Sequence, residues 1–202
     1  MNLTRNITIY IHGTLPPKLL LKVPLLRKFF HCPPGLLKVE SLEDSHVKTA
    51  LTALCKQHPQ EFPYEDCYAF GWEGALNHAT RKQAALELYK KIVDLVAQYR
   101  QEGSLPKITL LTHSHGGNLA LCLPYGIEED AQETILIDTL ILLACPVQAK
   151  TAEQSNHALF DKVYSIHSHR DLFQILDPQG LHELIEYIKN FDLECTLSNL
   201  KK

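Results

Sequence analysis

The sequence predicts an α/β fold in which a mostly parallel sheet of about five or six strands is flanked by helices. Apolar, β-branched runs of strand length alternate along the chain with longer amphipathic stretches. The run at residues 137–144 is almost wholly apolar, as expected of a strand that is covered on both faces. Polar residues follow several of these runs directly, which puts them at the carboxyl edge of such a sheet, where ligands bind.

Length and composition indicate one globular domain over residues 1–202. Of the residues, 45% are hydrophobic and 21% charged, which is typical of a folded domain and argues against disorder. The net charge is -3 and no long run of Lys or Arg is present, so the sequence gives no reason to expect nucleic acid as a partner.

The six cysteines are scattered, and none belongs to a C-x-x-C pair, so the sequence suggests neither zinc nor a dithiol redox centre. Cys67, Cys122 and Cys145 lie in apolar surroundings and are predicted to be small buried residues. Scattered thiols fit a reducing compartment. Residues 1–6 lack the plan of a signal peptide, and no apolar run is long enough to span a bilayer. We therefore expect a cytoplasmic protein, with non-classical secretion left open.

Periodicity and turn residues place the individual elements. A capping box at Thr80–Gln83 marks one helix start, and Gly103 marks the end of that helix. The predicted strands are residues 7–11, 66–70, 107–113, 137–144 and 162–167. The predicted helices are residues 42–58, 80–103, 114–124 and 181–191.

Residues 15–40, with five prolines, are long for a plain loop and have two interpretations. One is an irregular surface insertion whose leucines pack on the core. The other is a lid that is apolar on one side and basic on the other, through Lys18, Lys22, Arg27 and Lys28. Such a lid could cover an acyl pocket or rest as a peripheral segment on an anionic lipid surface.

The stretch around Ser114 reads as a buried strand, a sharp turn and the start of a helix. Small residues flank the serine two positions before it (Thr112) and two positions after it (Gly116). A strand that reverses directly into a helix crowds both positions, and it leaves the serine on strained backbone with its hydroxyl exposed. This is the G-x-S-x-G pattern of a nucleophile elbow, with threonine in place of the first glycine.

Three polar groups come at strand ends: His12-Gly13-Thr14, the residues around Ser114, and His167 to Asp171. On these residues the chain resembles the α/β-hydrolase superfamily, and specifically its minimal lipase-type members, over roughly residues 6–175. His12-Gly13 matches the family's oxyanion motif, Thr112 to Gly116 the elbow, and Asp171 the acid of the triad. The resemblance implies an α/β-hydrolase fold that lacks the usual two N-terminal strands.

The resemblance also implies the roles of individual residues. Ser114 would be the nucleophile, Asp171 would orient the histidine base, and the backbone N–H groups of Thr14 and His115 would form the oxyanion hole. His182, at the start of the last helix, is the best match to the base. Two alternatives stay open: the sequence ends before the family's histidine, or the triad is incomplete. His167 and His169 are close to Asp171 in sequence and are less suitable.

Each of these residues also has a structural interpretation. Ser114 could be a turn serine at a helix N-cap, and Asp171 could cap a short helix. The remaining residues near the site are expected to have supporting roles. His12 and Gly13 support the oxyanion loop, and His113 is buried beside the elbow. His115 lines the pocket or only contributes its backbone N–H, and Trp72 is a pocket wall or a core residue. No H-x-E or H-E-x-x-H spacing is present, so we expect neither metal nor cofactor.

The sequence therefore predicts a serine hydrolase of carboxylic esters, like an esterase or lipase, that acts on a small ester or a lipid through an acyl-enzyme. Because one fold serves many functions, two alternatives remain. One is a catalytically impaired hydrolase fold that serves as a binding module. The other is a thioesterase or amidase with the same triad.

Overall fold

The computed structural model describes residues 3–14, 32–129 and 135–167. All of them lie in one compact unit, Met1–His167; a second unit, Ser168–Lys202, is outside the described residues. The strands are β1 (Leu3–Ile11), β2 (Gly35–Lys38), β3 (Cys67–Gly71), β4 (Ser104–His113), β5 (Thr139–Leu143) and β6 (Val163–Ile166). The α-helices are α1 (His46–Gln57), α2 (His78–Gln101), α3 (Gly116–Ala120), α4 (Pro124–Glu129) and α5 (Ala149–Ala152).

The six strands form one sheet in the order β2-β3-β1-β4-β5-β6. Every neighbouring pair is parallel except β2 and β3, which run antiparallel at one edge. The predicted fold class, a mostly parallel sheet flanked by helices, is confirmed. Because parallel strands need crossover connections, the helices between them cover the faces of the sheet.

The main core lies on one face of the sheet, under α2, α3 and the turn that follows α3. Alternate residues of the central strands point into it, and each is at most 2% exposed: Ile7, Ile9, Ile11, Ile108, Leu110, Leu140 and Leu142. One stripe of α2 packs against them and comprises Leu88, Ile92, Leu95, Val96 and Tyr99.

The opposite face carries a smaller core under α1. Leu51 and Cys55 of α1 pack there with Cys67 and Ala69 of β3. Tyr10 and Leu111, from the two central strands, are only partly buried against this cluster. As a result, α1 stands over the sheet beside the carboxyl ends of β1 and β4.

The start of α2 differs from the sequence prediction. Asn77 is the N-cap, and its side chain accepts the backbone N–H of Thr80 at 2.8 Å, so the helix begins at His78. The capping box predicted at Thr80 is therefore wrong. Asn occupies an N-cap more favourably than Thr, and the cap three residues upstream satisfies the N–H of Thr80. Gly103, at φ +78°, follows the helix end as predicted.

The helix predicted over residues 114–124 is two short helices. Backbone turns at residues 121–123 separate α3 from α4, and Pro124 is the first residue of α4. A proline suits the first helical position because its missing N–H would have no intrahelical partner there. Pro124 therefore begins a helix where the sequence analysis took it to end one.

Strand β2 was not predicted, because it lies within the segment 15–40 that the sequence analysis treats as an irregular insertion or a lid. Residues 15–31 of that segment lie outside the described residues, as does the helix predicted at 181–191. The predicted burial of Cys67, Cys122 and Cys145 is confirmed, and Cys32 and Cys55 are buried free thiols as well. Within the described part of the chain, no helix is both long and apolar enough to cross a membrane.

Candidate active site

Ser114 lies on left-handed backbone, at φ +51°, between the end of β4 and the start of α3. Its N–H donates to the carbonyl of Leu143 in β5 at 2.9 Å, and its own carbonyl accepts the N–H of Gly117 at 3.0 Å. Left-handed backbone costs a non-glycine residue about 1–2 kcal/mol. The two hydrogen bonds hold the serine in this conformation from both sides of the turn.

Two glycines let the loop after β1 pass against this turn. A Cβ on Gly13 would lie 2.7 Å from the Cβ of Ser114 and 3.0 Å from the carbonyl oxygen of His113. A Cβ on Gly116 would lie 2.5 Å from the carbonyl oxygens of both Ile11 and His12. Real Cβ atoms do not approach other heavy atoms so closely, so the two backbones meet in a way that only glycine allows.

Thr112 occupies the position where the elbow pattern has its first glycine. Its side chain is fully buried, and its hydroxyl donates to the carbonyl of Ile141 in β5 at 3.0 Å. The hydroxyl is thus satisfied within the sheet, and the β-branched side chain suits a strand. Threonine therefore fits here because its side chain points towards the main core with those of Ile108 and Leu110, away from the turn at Ser114.

His12 holds the loop after β1 in place through both of its ring nitrogens. Its Nε2 accepts the backbone N–H of Trp72 at 3.1 Å, so Nδ1 carries the proton and donates it to the carbonyl of Gly13 at 2.7 Å. The indole N–H of Trp72 donates to the His12 carbonyl at 2.9 Å, and the two rings stack. Burial lowers the pKa of His12 to about 4, so the ring is neutral. Trp72 is a core residue that reaches the site through His12.

The two histidines beside Ser114 have opposite environments. His113 is exposed and lines the cavity described next, whereas the sequence analysis expects it to be buried. The reason is strand alternation: Ile108, Leu110 and Thr112 point into the core, so His113 points to the other face. His115, by contrast, is 5% exposed and is not among the described residues that line the cavity.

A cavity of about 440 Å³ opens at Ser114 between α1 and the sheet. One end is polar and holds the residues that follow β1 and β4. The rest is mostly apolar. The described lining residues are Tyr10, His12, Gly13, Thr14, His46, Val47, Ala50, Leu51, Leu54, Leu111, His113, Ser114 and Leu143. Helix α1 was not predicted to belong to the site, because its apolar stripe looks like any core-facing stripe.

A buried hydrogen-bond network ties α3 to the loop after β5. Asn118 is fully buried; its amide N–H donates to the carbonyl of Pro146 at 2.8 Å. Its carbonyl oxygen accepts the N–H of Gln148 at 3.1 Å and the hydroxyl of Thr151 at 2.7 Å. Asn118 was not among the predicted site residues. The sequence feature that could have indicated its role is an amide side chain within the otherwise apolar run that follows Gly117.

The structure thus brings five of the predicted site residues to one cavity: His12, Gly13, Thr14, His113 and Ser114. Asp171 and His182, the predicted acid and base, lie outside the described residues. His46, the first residue of α1, lines the same cavity and was not predicted. Among the residues that the structure describes, no group of three or more His, Cys, Asp or Glu side chains could hold a metal ion.

No family model matches this sequence, and a comparison with curated proteins finds no match either. Two solved structures of phospholipase PlaB from Legionella pneumophila are similar to it in part. One, in complex with thio-NAD, has 15% identity and a TM-score of 0.39, and covers 70% of this chain. The other has 16% identity and a TM-score of 0.40, and covers 72%. This chain spans a quarter of the length of each, 25%. At this level of similarity, neither family nor activity follows.

Proposed function

We propose that this protein is a serine hydrolase that cleaves carboxylic esters, in the manner of an esterase or lipase, through an acyl-enzyme on Ser114. The observation that carries the proposal is the backbone of this serine. It sits at φ +51° between a parallel strand and a helix, and it lines an apolar cavity at the carboxyl end of the sheet. Nucleophilic serines of α/β-hydrolases occupy a strained strand-to-helix turn of this kind.

The proposed reaction begins when the Ser114 hydroxyl attacks the ester carbonyl while a histidine takes its proton. The backbone N–H groups of Thr14 and His115 would stabilise the oxyanion of the tetrahedral intermediate. The contact between Gly13 and Ser114 supports this assignment, since it puts the residue after Gly13 next to the nucleophile. Collapse of the intermediate releases the alcohol with the proton from histidine, and water then hydrolyses the acyl-enzyme.

The base and the acid are proposals carried by the resemblance alone: His182 as the base and Asp171 as the residue that orients it. Among the described histidines, His12 is unsuited to the role because Trp72 and the carbonyl of Gly13 occupy its ring nitrogens and burial keeps it neutral. His46 and His113 line the cavity with Ser114 and are the alternatives that the test must include.

A fluorophosphonate probe tests the nucleophile and the base together. We expect Ser114→Ala to abolish labelling, and Ser165→Ala, an exposed serine of β6, to leave it unchanged. His182→Ala should slow labelling at least a hundredfold, the usual contribution of a general base. His46→Ala and His113→Ala should slow it far less. Full labelling of Ser114→Ala would overturn the proposal, and full labelling of His182→Ala would overturn the choice of base.

The leaving group is tested by a matched series of substrates. Oxygen esters, thioesters and amides that share one acyl group are offered to the wild-type protein and to Ser114→Ala. We expect the oxygen ester to have the highest kcat/KM, and Ser114→Ala to be inactive on all three. A preference for the thioester or the amide would move the assignment to those classes. Inactivity on all of them, together with no probe labelling, would favour a binding module.

A further inference from the structure

The cavity at Ser114 has two apolar walls from different parts of the fold. One is a single face of α1, because Val47, Ala50 and Leu54 recur at helical spacing. The other is the face of the sheet that carries Tyr10 and Leu111. These two residues are paired neighbours in β1 and β4, so their side chains point the same way. An apolar slot therefore runs between helix and sheet and ends at Ser114.

The composition of the lining limits what can enter the slot. None of the described lining residues is Asp, Glu, Lys or Arg. A charged group deep in the slot would lose its hydration without gaining an opposite charge from Asp, Glu, Lys or Arg, whereas an aliphatic chain would lose only unfavourable contact with water. The volume of about 440 Å³ lies near the lower end of the roughly 300–1,000 Å³ found for small-ligand sites, and so suits a single chain.

We infer that one aliphatic chain of the substrate lies in this slot between α1 and the sheet, with its ester group at Ser114, and that Ala50 sets the longest chain accepted. The inference rests on the proposed ester hydrolysis and adds the substrate class and a residue that determines specificity. This aliphatic chain belongs either to the acid or to the alcohol part of the ester, since the slot offers the same apolar walls to both.

Ala50 is suited to this role because it has the smallest side chain on the α1 wall and is exposed towards the open slot. A larger side chain at this position would project into the slot without disturbing Leu51 or Cys55, the buried residues of α1. Ala53 provides the matched control. It lies on the same helix and is also exposed, but it is not among the described residues that line the slot.

The effect of chain length follows from the burial of methylene groups. Each buried methylene contributes about 0.8 kcal/mol, which corresponds to about a fourfold change in affinity. We therefore expect kcat/KM to rise about fourfold per added carbon until the slot is full, and then to level off or fall. We call the substrate length at which kcat/KM stops rising the break. A protein side chain that fills part of the slot should move the break to shorter aliphatic chains.

The first experiment measures kcat/KM in two series of esters. One varies the acid from acetate to dodecanoate with a constant alcohol, and the other varies the alcohol over the same lengths with a constant acetate. We expect one series to show the rise and the break, which identifies the chain that the slot holds. Ala50→Phe should shift the break by several carbons, Ala50→Val by fewer, and Ala53→Phe not at all. Flat profiles in both series, or equal shifts in Ala50→Phe and Ala53→Phe, would overturn the inference.

The second experiment separates this inference from the proposed function. Calorimetry measures the binding of saturated carboxylates and of 1-alkanols, from butyl to dodecyl, to Ser114→Ala. We expect Kd to fall about fourfold per carbon in at least one series, and Ala50→Phe in that background to abolish the gain for the longest chains. Chain-dependent binding, together with a wild-type protein that shows neither esterase activity nor probe labelling, would support the slot and refute the hydrolase. Probe labelling of Ser114 without chain-dependent binding would refute the slot alone.

Discussion

Trp72 donates two hydrogen bonds to His12, one from its backbone N–H and one from its indole N–H. The backbone N–H of Trp72 donates to the His12 ring at 3.1 Å, and the indole N–H of Trp72 donates to the His12 carbonyl at 2.9 Å. This pair anchors the loop after β1 to the residue after β3. Since Gly13 follows His12 and lies against Ser114, the pair also sets the position of the turn at the candidate nucleophile.

The stability of the protein should fall as His12 is forced to take up a proton. The pKa of His12 is lowered to about 4 in the folded protein, whereas it is near 6.5 in the unfolded chain. Neutral His12 therefore makes its full contribution to the free energy of unfolding above pH 6.5, and this contribution is lost as pH falls towards 4. The loss amounts to about 3 kcal/mol at the acid end. His12→Gln keeps an acceptor for Trp72 but does not titrate. Urea unfolding from pH 7 to pH 4 should show a shallower loss in this variant, and equal slopes would contradict the prediction.

Replacing Ser114 by glycine should stabilise the protein while removing the hydroxyl of the proposed nucleophile. Glycine adopts φ +51° without strain, which offsets the larger conformational entropy that it loses on folding. We expect Ser114→Gly to have a free energy of unfolding up to about 1 kcal/mol above that of Ser114→Ala. Ser155→Gly, in a short 3-10 helix without a positive φ, should be less stable than wild type, in part because the Ser155 hydroxyl donates to the Ala152 carbonyl at 2.7 Å. A Ser114→Gly variant no more stable than Ser114→Ala would argue against strain at the turn.

A methyl group on Gly13 should impair the site more than it impairs the fold. Its Cβ would meet Ser114 and the His113 carbonyl, so the serine must shift. A displacement of about 1 Å at a reacting group can cost about a hundredfold in rate. The rate of fluorophosphonate labelling should therefore fall by at least tenfold in folded Gly13→Ala. Gly103→Ala is the control. The φ of Gly103 is positive and nothing lies within 4 Å of an added Cβ, so labelling should stay unchanged while unfolding becomes easier.

Asn118 should be among the most sensitive buried polar residues. Asn118→Ala removes three hydrogen bonds at a fully buried position and should lower the free energy of unfolding by about 3 kcal/mol. Thr151→Val removes one of them and should cost about 1 kcal/mol. Because the two residues share that bond, the double variant should lose less than the sum of the single variants. Strict additivity in chemical denaturation would show that the network does not act as a unit.

Much of the architecture could be predicted because it depends on short-range patterns. The apolar runs at residues 7–11, 107–113 and 137–144 each coincide with a strand, and alternation with helices specifies a mostly parallel sheet. The turn at Ser114 was predictable because crowding at the reversal of strand into helix excludes large flanking residues. The direction of His113 could have been read from the same alternation that buries Thr112.

Other features could not be predicted from local patterns. Strand β2 has only four residues, begins at Gly35 with φ +90°, and forms by pairing with β3, which is distant in sequence. The roles of Asn118 and Trp72 depend likewise on partners outside their own elements. Nothing in the neighbouring sequence reports such partners, since a hydrogen bond between distant residues leaves no periodic trace.

The sequence by itself therefore determined the fold class and the strained turn at Ser114, because both follow from residues adjacent along the chain. Only the tertiary structure decided what surrounds that serine. It placed α1 over the sheet so that Ala50 faces the same cavity as Ser114, and it engaged both ring nitrogens of His12 in hydrogen bonds to Trp72 and Gly13. An apolar helix face serves equally well as core packing or as a cavity wall. Which of the two it becomes depends on how closely the opposite surface approaches, and that distance is set by packing across the whole sheet.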